Sequence, residues 1–100
     1  MDEFEKIDID AARLMIKRES VSIVDIRDED SYRESHIAGA VSLGNKNMNA
    51  FLKETDRERS LICYCYHGIS SQSAAKYFVS QGFKKVYSLI GGFERWREAS

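Results

Sequence analysis

The amino-acid sequence predicts a single α/β domain with a mostly parallel sheet that is covered by helices on both faces. Segments rich in apolar and β-branched residues alternate about five times with segments of helical periodicity over 100 residues. This alternation is typical of a parallel sheet with crossover helices. One hundred residues is also the size of one compact domain, and such a chain buries roughly two-thirds of the surface that its unfolded form exposes. We therefore expect residues 1–100 to form one domain with a core of its own.

Five segments have the composition of strands. In chain order they are residues 3–7 (EFEKI), 20–26 (SVSIVDI), 40–43 (AVSL), 61–66 (LICYCY) and 85–90 (KVYSLI). The second, fourth and fifth segments consist largely of β-branched and other apolar residues, which favours strands buried inside a sheet. The first is expected at an edge, and the third is shorter and weaker. Because the chain contains no proline, glycine has to mark the turns.

Five further segments have helical patterns. They are residues 9–19 (IDAARLMIKRE), 29–35 (EDSYRES), 48–54 (MNAFLKE), 70–82 (SSQSAAKYFVSQG) and 92–99 (GFERWREA). Ala11, Leu14 and Met15 share one stripe of the first helix, which we expect to be its buried face. The fourth helix has its stripe at residues 74, 75, 78 and 79, and Gly82 stands where a helix C-cap glycine belongs. The second pattern predicts no more than one helical turn.

Composition excludes several functional classes. The chain is 43% hydrophobic and 31% charged, and its 15 basic and 16 acidic residues leave a net charge of -1. This balance gives no attraction to nucleic acid or to an anionic membrane. The acidic start MDEFEKIDID does not resemble a signal peptide, and the longest apolar run, LICYCY, is far shorter than the ~20 residues of a membrane helix. We therefore expect a cytoplasmic protein.

The two cysteines, Cys63 and Cys65, are predicted to be free thiols with different roles. Their spacing matches no zinc signature, and two cysteines are too few for a disulfide framework. In a strand they would lie about 6.6 Å apart, too far for a relaxed disulfide. Cys63 lies between Ile62 and Tyr64 inside a strand and is read as a small core residue.

Cys65, in contrast, is a candidate nucleophile at the carboxyl end of a strand, where parallel sheets bind their ligands. The segment that follows it, Tyr66, His67, Gly68, Ile69, Ser70 and Ser71, leads directly into a helix. Such a loop turns backbone N–H groups inward, and the first helical turn adds partial positive charge. A cysteine beside these donors is stabilised as thiolate, the form that attacks electrophiles. Ser70 or Ser71 is expected to be the N-cap of the helix.

Four motifs in order resemble those of the rhodanese family across nearly the whole chain. They are the D-x-R start (Asp25, Arg27), the H-I-x-G-A turn (36–40), the cysteine loop C-Y-H-G-x-S-S (65–71) and the closing G-G-F-E-x-W (91–96). The resemblance implies a five-stranded parallel sheet with helices on both faces, in agreement with the strand count above.

The resemblance also implies a thiosulfate sulfurtransferase that works by double displacement and needs no metal or organic cofactor. Cys65 would be catalytic and would carry the sulfur as a persulfide. The loop residues that would bind substrate are Tyr66, His67, Gly68, Ile69, Ser70 and Ser71. Thiosulfate would be the donor, and cyanide or a thiol, including a dithiol protein such as thioredoxin, the acceptor. A monomer or weak dimer is expected, with no nucleic-acid or membrane partner.

Some positions depart from the family pattern. Ser35 and Ala38 stand where many relatives have glycine and proline, which is expected to loosen a turn outside the loop. Gln72 stands where a basic residue is often found after the loop, so we expect weaker binding of thiosulfate. Partial protonation of His67 would compensate for part of this loss.

Other conspicuous residues are given structural roles. The resemblance favours Asp25 and Arg27 as a brace for the loops near the site rather than as proton-transfer groups. His36 has no acid at a fixed spacing and is read as a hydrogen-bonded structural residue. Phe93 and Trp96 stand three apart on a short helix and are expected to cap the core.

Three other functions are weighed against sulfur transfer. Cysteine-dependent phosphatases and arsenate reductases share the strand-loop-helix nest but use C-x5-R, in which the arginine clamps the oxyanion. The residue at that place here is Ser71. Non-catalytic rhodanese-like modules typically lack the cysteine that this chain has. A persulfide carrier whose donor is another protein stays open, because its loop would look the same.

Overall fold

A five-stranded parallel sheet forms the centre of the structure, a computed structural model that describes residues 3–99. Its strands are β1 (Glu5–Ile7), β2 (Val21–Asp25), β3 (Val41–Ser42), β4 (Ser60–Tyr64) and β5 (Val86–Leu89). Their spatial order is β1-β5-β4-β2-β3, and every paired ladder is parallel. The predicted fold class is therefore confirmed, with β1 at an edge as expected. Residues 1, 2 and 100 of the predicted domain lie outside the described residues.

Five helices alternate with these strands, and the fifth follows β5. They are α1 (Ile9–Arg18), α2 (Glu29–Glu34), α3 (Met48–Glu54), α4 (Ser70–Ser80) and α5 (Gly92–Glu98). The second pattern forms a six-residue helix rather than a single turn, because Asp28 caps it and accepts a 3.1 Å hydrogen bond from the backbone of Ser31. Gly82 follows the end of α4 with a φ of 97°, the left-handed conformation expected of a glycine after a C-cap.

The helices cover both faces of the sheet, and β4 contributes alternate side chains to each face. Ile62 and Tyr64 enter a cluster with residues of α1 and α5, whereas Leu61 and Cys63 enter a second cluster with residues of α4. All five residues of β4 are buried. The segment after β4 is therefore anchored to the most enclosed strand of the sheet.

The buried face of α1 differs from the predicted one. Ile9 and Ala12 are buried, Met15 is half-buried, and Ala11 and Leu14 are exposed. The stripe that faces the sheet is therefore shifted relative to the predicted one. The apolar residues of α1 are distributed over more than one face of the helix, so the sequence pattern alone did not identify the face that is buried.

The carboxyl ends of β2, β4 and β5 lie at the same edge of the sheet, since the three strands are parallel neighbours. The chain leaves these ends at residues 26–28, 65–69 and 90–91. This edge is where the sequence predicts the functional site. None of the helices within residues 3–99 is both long and apolar enough to cross a membrane.

Candidate active site

The Cys65 sulfur lies within a ring of hydrogen-bond donors. Cys65 comes directly after β4 and is 5% exposed. The backbone N–H groups of Gly68 and Ser71 donate to its Sγ at 3.2 and 3.3 Å. The Ser71 hydroxyl lies 3.5 Å from the same sulfur. The predicted inward turn of the loop is therefore present, and it converges on Cys65.

These donors change the acidity of the Cys65 thiol. Partial burial by itself raises its pKa, because a buried charge loses hydration. Hydrogen bonds from the Ser71 side chain and from the backbone of Ser71, Gly68 and His67 act in the opposite direction and outweigh burial. The pKa of Cys65 is consequently lower than that of an ordinary cysteine, which favours the nucleophilic thiolate.

Cys63 has the opposite character, as the sequence predicts. Its side chain is fully buried on β4, and its thiol donates to the carbonyl oxygens of Ser71 and Tyr87 at 3.4 and 3.5 Å. Burial, with a smaller contribution from the nearby Cys65, raises the pKa of Cys63 to about 12. Both cysteines are free thiols, and Cys63 stays neutral in the core.

A pair of buried hydroxyls, those of Ser71 and Ser88, lies beside the Cys65 sulfur. The Oγ atoms of Ser71 and Ser88 are 2.7 Å apart, and both residues are 1% exposed or less. Ser88 lies on β5, so it holds the Ser71 hydroxyl against the sheet beside Cys65. Sequence reasoning missed Ser88, because a serine inside an apolar strand carries no local sign of its partner 17 residues away.

The start of α4 differs from the predicted cap. Ile69, rather than Ser70 or Ser71, occupies the N-cap position, and no side chain caps this end. The hydroxyl of Ser71 is instead engaged with Ser88 and Cys65, and its N–H is directed to the sulfur. In a helix with a serine N-cap, the serine oxygen accepts an N–H group of the first turn. Here the Cys65 sulfur accepts such a group, the N–H of Ser71.

The remaining loop residues point outward to different degrees. The side chains of His67 and Ser70 are exposed, and Ile69 is 75% exposed. The Tyr66 hydroxyl donates to Asp28, which is the N-cap of α2. This hydrogen bond, together with those that Asp28 accepts from Ser31, lowers the pKa of Asp28 to about 2. The Tyr66 side chain therefore ties the loop to α2.

The loop is closed on its other side by the start of α5. The backbone N–H of Phe93 donates to the Cys65 carbonyl at 2.8 Å, and that of Glu94 donates to the Tyr66 carbonyl at 3.1 Å. Gly92 has a φ of 60°, and a Cβ atom there would lie 2.5 Å from both carbonyl oxygens. The last helix can approach the cysteine loop only because residue 92 has no side chain.

A buried ion pair braces the same edge of the sheet. Arg27 Nη2 lies 2.8 Å from Asp25 Oδ2, and the two side chains are 4% and 0% exposed. The Tyr64 hydroxyl donates to Asp25 at 2.7 Å, and Arg27 donates to the Ser35 carbonyl at 2.6 Å. The Arg27 guanidinium also lies 4.2 Å from the centre of the Phe93 ring. The bracing role predicted for Asp25 and Arg27 agrees with this geometry.

Four conspicuous residues named from the sequence have structural contacts. The His36 ring stacks on Tyr32 at 3.8 Å, and its Nδ1 atom lies 2.6 Å from the Tyr32 carbonyl. Phe93 is buried and Trp96 packs against the same cluster, as the predicted core cap requires. The Gln72 amide donates to the Gly68 carbonyl at 2.9 Å and so holds the curl of the loop.

A surface cleft of about 500 Å³ borders the site beyond Asp28. It is lined by residues 42–47 and by Arg27, Asp28 and Glu29. The cleft lies at the carboxyl ends of β2 and β3, and its lining includes Asp28, which accepts the hydrogen bond from the Tyr66 hydroxyl. Within residues 3–99, no three His, Cys, Asp or Glu side chains are grouped so that they could hold a metal ion.

Comparison with known proteins identifies the family. The model of the rhodanese-like domain family matches residues 8–99, and the chain belongs to this family. The thiosulfate sulfurtransferase GlpE of Shewanella oneidensis is 47% identical over 100 residues, which cover 100% of this chain and 99% of the relative. GlpE of Coxiella burnetii is 51% identical over 83 residues, which cover 83% of this chain and 78% of the relative.

Solved structures share the fold. The BH2092 protein from Bacillus halodurans has a TM-score of 0.80 and 35% identity, over 95% of this chain and 72% of that chain. The rhodanese-like domain of the Anabaena Alr3790 protein has a TM-score of 0.83 and 23% identity, over 100% of this chain and 76% of that chain. The second likeness concerns the fold alone.

Proposed function

We propose that this protein is a thiosulfate sulfurtransferase that carries sulfur as a persulfide on Cys65. Relatives that are 44–51% identical bear the name of this activity. The observation that supports the catalytic role of Cys65 is the convergence of the N–H groups of Gly68 and Ser71 on its sulfur. These donors stabilise a thiolate, and we expect the N–H groups of the loop also to stabilise the outer sulfur of a persulfide, which would lie about 2 Å from the Cys65 sulfur.

The first half-reaction transfers the outer sulfur of thiosulfate to the enzyme. The Cys65 thiolate attacks this sulfane sulfur and forms a new S–S bond to it. The bond between the two sulfur atoms of thiosulfate breaks, and its electron pair leaves with sulfite. A thiolate and a dianion thus become a persulfide anion and a sulfite dianion, so total charge is conserved and no external oxidant is needed.

The second half-reaction returns the enzyme to its starting state. Cyanide, or a thiolate acceptor, attacks the terminal sulfur of the persulfide and forms a bond to it. The Cys65–sulfur bond breaks, and the electron pair returns to Cys65 as thiolate. With cyanide the product is thiocyanate. Two separate half-reactions of this kind give ping-pong kinetics.

The physiological donor and acceptor belong to the same proposal. Thiosulfate is proposed as the donor, and cyanide or a thiol, including a dithiol protein such as thioredoxin, as the acceptor. The catalytic unit is proposed to be a monomer or weak dimer. A cytoplasmic location is proposed as well, since the mechanism needs Cys65 as a reduced thiolate and reducing compartments preserve such groups.

Phosphate-ester chemistry is disfavoured by the same loop. Ser71 occupies the place at which cysteine-dependent phosphatases have their arginine, and its side chain is buried against Ser88. The sulfur therefore has N–H and hydroxyl donors but lacks a guanidinium clamp at this position.

Intact mass measurement after incubation with thiosulfate tests the function. The wild type is expected to gain the mass of one sulfur atom and to lose it on addition of cyanide. Cys65→Ser should gain nothing, whereas the matched variant Cys63→Ser should still form the adduct because Cys63 lies in the core. Absence of the adduct on wild type, or its persistence in Cys65→Ser, would overturn the proposal.

Hydrolysis of p-nitrophenyl phosphate by the same preparations tests the rival chemistry. We expect no hydrolysis above that of Cys65→Ser. A Cys65-dependent phosphatase activity, with no sulfur adduct, would favour the rival instead.

A further inference from the structure

The cysteine loop contains no lysine or arginine, although its proposed donor carries two negative charges. Between residues 65 and 72, His67 is the one titratable cation, and Gln72 is neutral with its amide bound to the Gly68 carbonyl. Arg27 is close, but Asp25 neutralises it and its side chain is 4% exposed. Asp28, which contacts the Tyr66 hydroxyl, adds a negative charge on the α2 side. The backbone N–H groups act on an anion only at close range, so a cation elsewhere in the fold would add attraction at longer distance.

Arg95 on α5 has a side chain that lies against Gly91, a residue that is itself close to the cysteine loop. Its Cβ, Cγ and Nε atoms lie 2.6, 3.0 and 3.4 Å from the position that a Cβ atom would occupy on Gly91. The nitrogen of Gly91 in turn lies 2.8 Å from the corresponding position on Gly68. With standard backbone geometry, these contacts place Arg95 Nε within about 11 Å of the Gly68 nitrogen that donates to Cys65.

The Arg95 guanidinium is also exposed and uncompensated. Among residues 3–99 no ion pair or side-chain hydrogen bond involves it. The neighbouring carboxylate of Glu94 is paired with Arg97 at 2.9 Å. The positive charge beside the Gly91 turn is therefore available to an anion that approaches the loop.

We propose that Arg95 is the cation that attracts the anionic sulfur donor to the Cys65 loop. This inference rests on the proposed function, because it assigns a specificity residue for its donor. Arg95 acts through charge at a distance and does not contact the reacting atoms. Removal of the Arg95 charge should therefore weaken the binding of thiosulfate without changing the rate of sulfur transfer from bound thiosulfate.

The size of the effect follows from the distance. In water, the attraction between a unit charge and a dianion about 10 Å apart raises the affinity for the dianion about fourfold. The effect is larger where the effective dielectric constant is lower. Salt screens this attraction over about 8 Å at physiological ionic strength. The contribution of Arg95 should consequently be largest at low salt.

The test replaces Arg95 by methionine, which keeps the stem over Gly91 and removes the charge. We expect Arg95→Met to raise the KM for thiosulfate about three- to eightfold at 10 mM ionic strength and less than about twofold at 0.5 M salt. The kcat at saturating donor should not change, and the kcat/KM for cyanide, a monoanion, should fall by no more than about the square root of the factor seen with thiosulfate. Arg95→Lys should keep KM near the wild-type value.

Arg18→Met is the matched control, since it removes the same charge at the exposed end of α1. Arg18 lies just before β2, at the sheet edge opposite the site. A KM increase in Arg95→Met no larger than in Arg18→Met, or one that does not depend on salt, would overturn the proposal. A fall in kcat that Arg95→Lys shares would also overturn it, because the role would then be structural.

Donor charge provides a second readout. With an aryl thiosulfonate, a donor with one negative charge, the KM increase in Arg95→Met should be about the square root of that seen with thiosulfate. Equal increases with the two donors would contradict a charge effect. If the wild type forms no persulfide, the proposed function itself fails. If the wild type is active and Arg95→Met has an unchanged KM, the assignment of Arg95 alone fails.

Discussion

At the scale of single residues, two cysteines that are two positions apart acquire opposite chemistry from their surroundings. Cys63 meets carbonyl oxygens inside the core, and Cys65 meets N–H groups at the end of the strand. Acceptors favour the protonated thiol, whereas donors favour the thiolate. The reactivity of the site thus depends on which backbone groups face each sulfur.

The Ser71 hydroxyl is expected to contribute to this difference. Ser71→Ala removes a donor beside the Cys65 sulfur, so the pKa of Cys65 should rise. Because the thiolate is lost as pH falls through the pKa, reactivity should then begin at a higher pH. We expect alkylation of Cys65 by iodoacetamide to slow about tenfold at neutral pH. The measurement is the pH dependence of the alkylation rate.

Ser73→Ala, on the exposed side of α4, controls for the loss of a hydroxyl from the same helix. Its alkylation profile should match the wild type. An unchanged profile for Ser71→Ala would show that the backbone N–H groups alone set the acidity of Cys65.

The Asp25–Arg27 pair should be important for stability. Arg27→Ala leaves the fully buried Asp25 carboxylate without its counter-charge, which is expected to lower the free energy of unfolding by about 3–5 kcal/mol. Arg33→Ala is the control, because the Arg33 side chain is 69% exposed and its pair with Asp30 contributes less than about 1 kcal/mol. Urea unfolding measures both, and similar losses for the two variants would contradict the bracing role.

The residue-level predictions from sequence succeeded where the signal was local. Cys65 stands at a visible change from apolar run to polar loop, so its placement followed from the pattern. Ser88 and Arg95 carry no such signal, since their relation to the loop arises only when β5 and α5 pack beside it. The predicted N-cap of α4 was wrong, because the Ser71 side chain contacts Ser88 and Cys65 instead of capping the helix.

At the scale of elements, the site is a junction between the loop after β4 and the first turn of α5. Two backbone hydrogen bonds from Phe93 and Glu94 to the carbonyls of Cys65 and Tyr66 join them. These bonds fix the carbonyl side of the loop, which leaves its N–H side directed toward the sulfur. The backbone at the start of the helix that follows β5 thus helps to hold the shape of the cysteine loop.

Gly92→Ala tests this junction. A methyl group at residue 92 would lie 2.5 Å from the Cys65 and Tyr66 carbonyls and would force α5 away from the loop. We expect sulfur transfer to fall at least about tenfold and the free energy of unfolding to fall by about 1–3 kcal/mol. Gly44→Ala, which has no atom within 4 Å of the added methyl, should change neither. Steady-state kinetics and urea unfolding report the two effects.

The strands and helices were largely predictable, because each has a continuous apolar or periodic pattern. The misjudged elements were those in which two patterns compete. On α1 the apolar residues are spread over more than one face, and the sheet buries Ile9 and Ala12 rather than Ala11 and Leu14. On α2 the polar sequence hid a helix that Asp28 caps. Only tertiary contacts and cap geometry decide such cases.

At the scale of the whole molecule, the chain has the dimensions of one domain. Its radius of gyration is 12.3 Å, close to the roughly 13 Å expected for a compact domain of this length. We propose that residues 1–100 fold as one cooperative rhodanese domain. The two apolar clusters lie on opposite faces of the sheet, and β4 contributes side chains to both. Unfolding of one cluster should therefore disrupt β4 and expose the residues of the other cluster to solvent.

Thermal unfolding should therefore show a single transition. The calorimetric and van't Hoff enthalpies should agree, at about 60–80 kcal/mol for a chain of this size. Cys63 offers an independent probe, because its buried thiol should react with a thiol reagent only when the whole domain unfolds. Labelling of Cys63 well below the calorimetric midpoint, or two separate heat-absorption peaks, would contradict a single unit.

The pairing of β1 with β5 has a consequence for biosynthesis. The strand β1 is synthesised first, but its partner β5 comprises residues 86–89. At about 5–20 residues per second, β5 is synthesised about 4–16 seconds after β1. The carbonyls of Cys65 and Tyr66 are synthesised later and are followed after about 1–6 seconds by the amides of residues 93 and 94, to which they bind. The cysteine loop therefore gains its last backbone contacts only after residue 94 has been added, so its final geometry forms later than the Cys65 thiol itself.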